Sequence, residues 1–86
     1  MPNRPKRDAS PHRDAAAELS RRLREARRAK QMSQQVLAAN AVVAIGTVRA
    51  LERGRSVDPS FFTVIALARA LDIDAVELLA DVLQVE

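Results

Sequence analysis

The chain of 86 residues contains no cysteine, tryptophan or tyrosine, one histidine, two glycines and two phenylalanines. Without cysteine there is no disulfide, no thiolate metal site and no cysteine nucleophile. His12 stands between Pro11 and Arg13 with no second ligand at useful spacing. It reads as a solvated tail residue, and neither a metal nor a cofactor is expected. With Phe61 and Phe62 as the only aromatics, the stacking platforms used by single-strand binders are missing. Two glycines do not make a glycine-rich phosphate loop, and the acids are scattered along helix faces rather than paired for proton transfer. Enzymatic activity is therefore not expected. No apolar run approaches the ~18 residues of a membrane span, and no apolar h-region follows the basic N-terminus. The expectation is a cytoplasmic protein without a membrane contact.

What the chain has is charge in one place. Residues 1–30 carry ten basic side chains (Arg4, Lys6, Arg7, Arg13, Arg21, Arg22, Arg24, Arg27, Arg28, Lys30) against four acids, a balance of +6. Residues 31–86 carry four against seven, a balance of −3. A basic end on a nearly neutral body suits a polyanion, and on charge alone it suits an anionic membrane surface equally well. The length allows one domain, and one of this size folds without staples.

Periodicity assigns the elements. Residues 1–13 hold three prolines, alternating charges and no repeat, and read as a flexible basic arm ahead of a domain at 14–83. Asp14 is the expected N-cap of a first helix, in which Ala16, Leu19, Leu23 and Ala26 recur at three- and four-residue steps until about Lys30–Gln31. Ser33 caps a short helix over Gln34–Asn40, with Val36 and Leu37 inward. The segment Ala41–Val48 is β-branched enough for a strand, and Gly46 costs a helix about 1 kcal/mol relative to alanine. Ala44, Val48 and Leu51 nevertheless fall at i, i+4 and i+7, and no second strand exists to pair with. A helix from about Ala44 to Glu52 is expected, ended by Gly54 in a left-handed C′ position. After a polar connection at 55–58, Pro59 and Ser60 open a helix through Leu71, with Phe61, Val64, Ile65, Ala68 and Leu71 on one face. Asp74 and Glu77 form a capping-box pattern for a fifth helix.

Two segments carry a recognisable signature. One is Ser33-Gln34-Gln35-Val36-Leu37-Ala38 followed by Val48-Arg49-Ala50-Leu51-Glu52-Arg53-Gly54. The other runs from Pro59-Ser60-Phe61 through Leu67-Ala68-Arg69-Ala70-Leu71 to Glu77-Leu78-Leu79. Over about residues 17–80 the sequence resembles the Cro/C1-type (XRE family) helix-turn-helix domain. The resemblance implies an all-α, five-helix, lambda-repressor-like fold with a helix-turn-helix at about 33–53. It also implies a sequence-specific, double-stranded-DNA-binding transcription regulator, expected to be a dimeric repressor. A helix about 10–12 Å across fits a major groove about 12 Å wide. By the resemblance, Gln34 reaches a phosphate, and Ile45, Gly46, Thr47, Arg49 and Ala50 face the groove. Arg53 and Arg55 hold backbone phosphates beyond the recognition helix. Arg27 and Glu52 match a pair that bridges the first and third helices, a structural role that takes Arg27 out of the basic footprint.

The sequence departs from the family pattern in the reading segment. Val42 stands where the turn usually carries glycine, and a β-branched residue is costly in a left-handed conformation. Asn40 tolerates that conformation better, so a shifted turn is expected. Ala44 replaces the usual Ser/Thr cap of the recognition helix. Ile45, Gly46 and Ala50 are apolar where polar readers are customary, a surface suited to thymine methyls and shape. The same surface also suits a protein partner, which keeps open a second reading: a protein-interaction module or antitoxin-like partner on this fold. Arg4, Lys6 and Arg7 are either plain tail or minor-groove contacts, and the Arg21–Arg28 run is a solvated face, a phosphate contact or a binding site for an acidic partner. The last helix has two apolar stripes where a surface helix buries one. Phe62, Val76, Leu79 and Leu83 are thus the candidate homodimer interface, the alternative being that the chain end folds back on its own core.

Overall fold

The computed structural model describes residues 12–55 and 59–85. Five helices follow in order: α1 (Arg13–Ala29), α2 (Gln34–Ala41), α3 (Ile45–Glu52), α4 (Phe61–Ala70) and α5 (Ala75–Leu83). No strand occurs among the described residues. The arm residues Arg4, Lys6 and Arg7 lie outside them.

The core forms where the apolar stripes of all five helices converge. Leu19 and Leu23 of α1, Leu37 of α2, Val48 and Leu51 of α3, Val64 and Leu67 of α4 and Leu78 and Val82 of α5 are all buried in one cluster. Leu71, just past the end of α4, joins them. Helix α2 packs on α3 and α4, while α1 lies across α3 and α5 and α4 closes on α5. The helix-turn-helix is thereby wedged between a long helix on one side and a hairpin of helices on the other.

Helix starts follow side-chain chemistry at two of the expected places. The Ser33 hydroxyl accepts from the Val36 amide at 3.0 Å. Asp74 Oδ1 accepts from the Val76 and Glu77 amides at 2.9 and 3.3 Å. Asp14 is not the cap of α1. The helix begins at Arg13 with His12 at the N-cap, two residues before the expected cap, and Asp14 sits inside the first turn, where its charge faces the positive end of the helix dipole.

Four helix ends share one device. Gln31, Val42, Gly54 and Asp72 all have φ between 57 and 71°. In each case the next amide reaches back five residues: Met32 to the Arg27 carbonyl, Val43 to Ala38, Arg55 to Ala50 and Ile73 to Ala68, at 2.8–3.1 Å. Each left-handed residue itself bonds three residues back, which completes the Schellman pattern. Met32, Val43 and Ile73 then pack against the core, so an apolar side chain just past the stop pins three of the four ends.

This pinning overrides the preference for Asn40 at the turn. Ala41 is buried in the last turn of α2, so the helix must run through it, and Val43 must follow one residue after the stop. Val42 is left with the left-handed position (φ 57°) and an 89% exposed side chain. The left-handed conformation costs an L-residue about 1–2 kcal/mol, and the exposed side chain has little packing to lose. Val42→Gly is therefore expected to stabilise the domain by about 1 kcal/mol, after allowing for the extra freedom glycine gives the unfolded chain. The rise in thermal midpoint, about 4–8 °C per kcal/mol for a domain of this size, is the measurement; a fall would show that the valine packs.

Two inward assignments change. Val36 is half-exposed while Leu37 is buried, because the inward side of α2 is set by Leu37, Ala38 and Ala41, and Val36 points away from it. Phe61 is exposed rather than on the core face. It opens the first turn of α4, beyond the packed layer, and meets Phe62 edge-on at 5.5 Å between ring centroids.

Candidate nucleic-acid interface

Glu52, at the end of α3, fixes the recognition helix to the rest of the domain. Its carboxylate accepts from Arg27 Nε at 2.7 Å and Arg27 Nη2 at 2.9 Å, and from Gln34 Nε2 at 3.0 Å. Its backbone carbonyl, one of the free acceptors at a helix C-terminus, accepts from the Ser20 hydroxyl at 2.9 Å and Arg24 Nη1 at 2.8 Å. The third Arg27 donor goes to the Met32 carbonyl at 2.8 Å, so the guanidinium also holds the chain leaving α1. Burial alone would raise the Glu52 pKa, but the hydrogen bonds from Arg27 and Gln34 and the nearby positive charge hold it below the ordinary carboxylate value. The expected Arg27–Glu52 pair is present. Ser20 and Arg24 extend it in a way the sequence did not mark, since a serine at a core position on an amphipathic helix carries no partner in its spacing.

The arginines of α1 are largely bound within the domain. Arg21 pairs with Glu18 and Glu25, and Arg22 pairs with Glu18 and reaches Asp81 of α5 at 2.9 Å. Glu18 is held down to about 2 by its hydrogen bonds from Arg21 and Arg22. The basic run thus serves helix surface and helix packing. Arg28 and Lys30 are exposed and make no ion pair or side-chain hydrogen bond among the described residues.

The cations beyond Val48 behave differently. Arg49, Arg53 and Arg55 are exposed and make no ion pair or side-chain hydrogen bond among the described residues. In α3, Val48, Leu51 and Glu52 are buried. At 100° per residue, Arg49, Arg53, Gly46 and Ala50 lie on the opposite side. Gly46 is exposed, Ala50 and Thr47 are half-buried, and Ile45 packs partly against the core at the edge of the outward side. Ala44 precedes the helix in an extended conformation with no side-chain cap. The structure therefore brings Gly46, Arg49, Ala50 and Arg53 to one face, with Arg55 just past its end and Ile45 and Thr47 at its margins. Gln34 is placed at the start of α2, but its amide is turned to Glu52 rather than left free.

A projecting helix, held at its C-terminus by a buried ion pair and bearing unpaired arginines outward, is the geometry of a groove reader. The helix-turn-helix family model matches residues 23–78. The chain belongs to the Cro/C1-type (XRE) helix-turn-helix family. Its five helices resemble the crystal structure of the restriction-modification controller protein C.AhdI from Aeromonas hydrophila, with a TM-score of 0.68 and 38% identity, covering 73% of this chain and 94% of that one. No curated protein sequence matches the chain. The family segment contains α2, the left-handed Val42 turn and α3 entire. The departures from the usual pattern noted in the sequence fall in α3 and in the turn before it. Among the described residues no helix is long and apolar enough to cross a membrane.

Proposed function

We propose that this chain is a sequence-specific, double-stranded-DNA-binding transcription regulator that acts as a homodimer and represses by occluding a promoter. The observation that carries the reading is the division of labour among its arginines. Those of α1 that face the core or α5 are committed to carboxylates and carbonyls, while Arg49, Arg53 and Arg55, on and beyond the outward side of α3, have no side-chain partner among the described residues. Arg49 reads guanine O6 and N7, and Arg53 and Arg55 hold phosphates on either side. The likeness to a restriction-modification controller protein supports regulation of this kind.

Selection from genomic fragments with the purified chain, followed by titration of the best duplex at several salt concentrations, tests the proposal. A palindromic site is expected, with affinity falling steeply as salt rises. Arg49→Ala is expected to weaken that site by about 5- to 150-fold, the 1–3 kcal/mol of one bidentate base contact, and to relax the preference at one base pair. Arg53→Ala is expected to weaken all sequences alike and flatten the salt dependence. Selection that returns no motif, with Arg49→Ala indistinguishable from wild type, overturns the reading.

A further inference from the structure

At the centre of the outward side of α3 stands a residue that nothing inside the protein requires. Gly46 is exposed and helical, and it is absent from the positive-φ residues, where Gly54 is the glycine. A Cβ added to it would meet nothing within 4 Å. Backbone geometry does not call for glycine here, and neither does packing. A glycine in a helix is less stable than alanine, so its presence goes unexplained by the free protein. The remaining reason for a missing Cβ is close approach by something from outside.

Resting on the DNA-binding reading above, we propose that Gly46 is a specificity-determining residue whose bare Cα seats α3 against the 5-methyl group of a thymine in the major groove. The choice of thymine comes from the chemistry around the glycine. Ile45 beside it and Ala50 one turn on offer no side-chain donor or acceptor, and the thymine methyl is the one apolar feature a base edge presents in that groove. Arg49 and Arg53 flank the same side and are unpaired among the described residues, so the hydrogen-bonding part of the readout lies next to Gly46 rather than at it. The surface divides into a close-packed apolar contact and a charged one. Shape selects at the first, and hydrogen bonds select at the second.

The test uses the full chain and the duplex that it selects. Gly46→Ala is expected to raise the thermal midpoint and yet weaken binding roughly tenfold, the scale of one lost base contact. In parallel, each thymine of the site is replaced singly by deoxyuridine, which removes only the methyl. The wild-type chain is expected to lose roughly fourfold at one position in each half-site, the worth of one buried methyl. At that position the Gly46→Ala penalty shrinks, because the alanine methyl takes the vacated room. A variant that binds as tightly as wild type, a lowered thermal midpoint, or indifference to every deoxyuridine each overturns the proposal. In those cases the DNA-binding reading stands as long as wild type still selects its duplex; if wild type selects none, both fall.

Discussion

Arg27→Ala is expected to lower the stability of the domain by about 3 kcal/mol, the scale for removing one partner from a buried ion pair. The side chain of Glu52 is only 4% exposed. Without the guanidinium it keeps Gln34 as a hydrogen-bond donor and Arg24 as a nearby charge, and the Met32 carbonyl loses its side-chain donor as well. Arg27→Lys restores a charge but not three donors in a planar fork, and is expected to recover less than half of the loss. Arg27→Met combined with Glu52→Leu removes both charges and is expected to cost less than either charge removed alone, since no uncompensated carboxylate or guanidinium remains. Urea unfolding of the four proteins measures this. A single variant costing under about 1 kcal/mol, the range of an exposed pair, would show that water already satisfies Glu52.

The same carboxylate shapes the response to acid. Glu52 lies below its ordinary value despite burial, through Arg27 and Gln34, and Glu18 lies at about 2 against an ordinary 4.5, through Arg21 and Arg22. A carboxyl whose folded pKa is depressed contributes stability that is fully present above its unfolded value and is lost as pH falls through the folded one. The domain is therefore expected to hold its stability down to about pH 5 and to lose it progressively toward pH 2. Arg27→Ala removes part of that acid limb, because the partner that depresses Glu52 is gone.

Much of this arrangement was legible in the chain because it depends on local rules. Ser33 and Asp74 cap by short-range hydrogen bonds, and the stripe Leu19–Leu23 fixes the inward side of α1. Arg27 and Glu52 were placed by family resemblance rather than by spacing, and the structure joins them. What escaped depends on tertiary choice. Val42 takes a conformation that its own side chain disfavours because Ala41 and Val43 are both needed by the core. Val36 and Phe61 are apolar in a helical pattern yet face outward, since periodicity gives a stripe but not its edges. Ser20 is buried by a carbonyl on another helix, 32 residues away in sequence, and no local pattern encodes such a pairing. On the reading surface, the sequence supplied the side chains of α3. The structure added which arginines are already paired, and that removes Arg21, Arg22, Arg24 and Arg27 from the candidate readers.

Replacing Val76 and Leu83 together by glutamate is expected to leave the chain folded but monomeric, and to lower its affinity for the selected palindrome by about 10²–10⁴-fold, the avidity lost when two linked half-sites become independent. The α4–α5 side of the domain carries the reason. Phe62, Val76 and Leu83 are 76, 77 and 63% exposed, and Phe61 and Val85 are exposed beside them in sequence. Leu79, expected in the same stripe, is instead half-buried against the core. It anchors α5 while Val76 and Leu83, seven residues apart, project from it. A single exposed apolar side chain is ordinary, whereas several on one face mark a contact surface. On the proposed homodimer reading, a two-fold pairing through them would set two copies of α3 about 34 Å apart, one turn of duplex. Because both side chains are already exposed in the single chain, their replacement removes little intramolecular packing, and the thermal midpoint of the variant measured well below the dimer dissociation constant is expected to match that of wild type. Sedimentation equilibrium reports the assembly and titration of whole and half-site duplexes reports the avidity. A variant that remains dimeric with full affinity places the interface elsewhere. A monomeric variant that keeps its half-site affinity while losing the palindrome shows that α5 sets the spacing of the two reading helices and α3 alone does the reading.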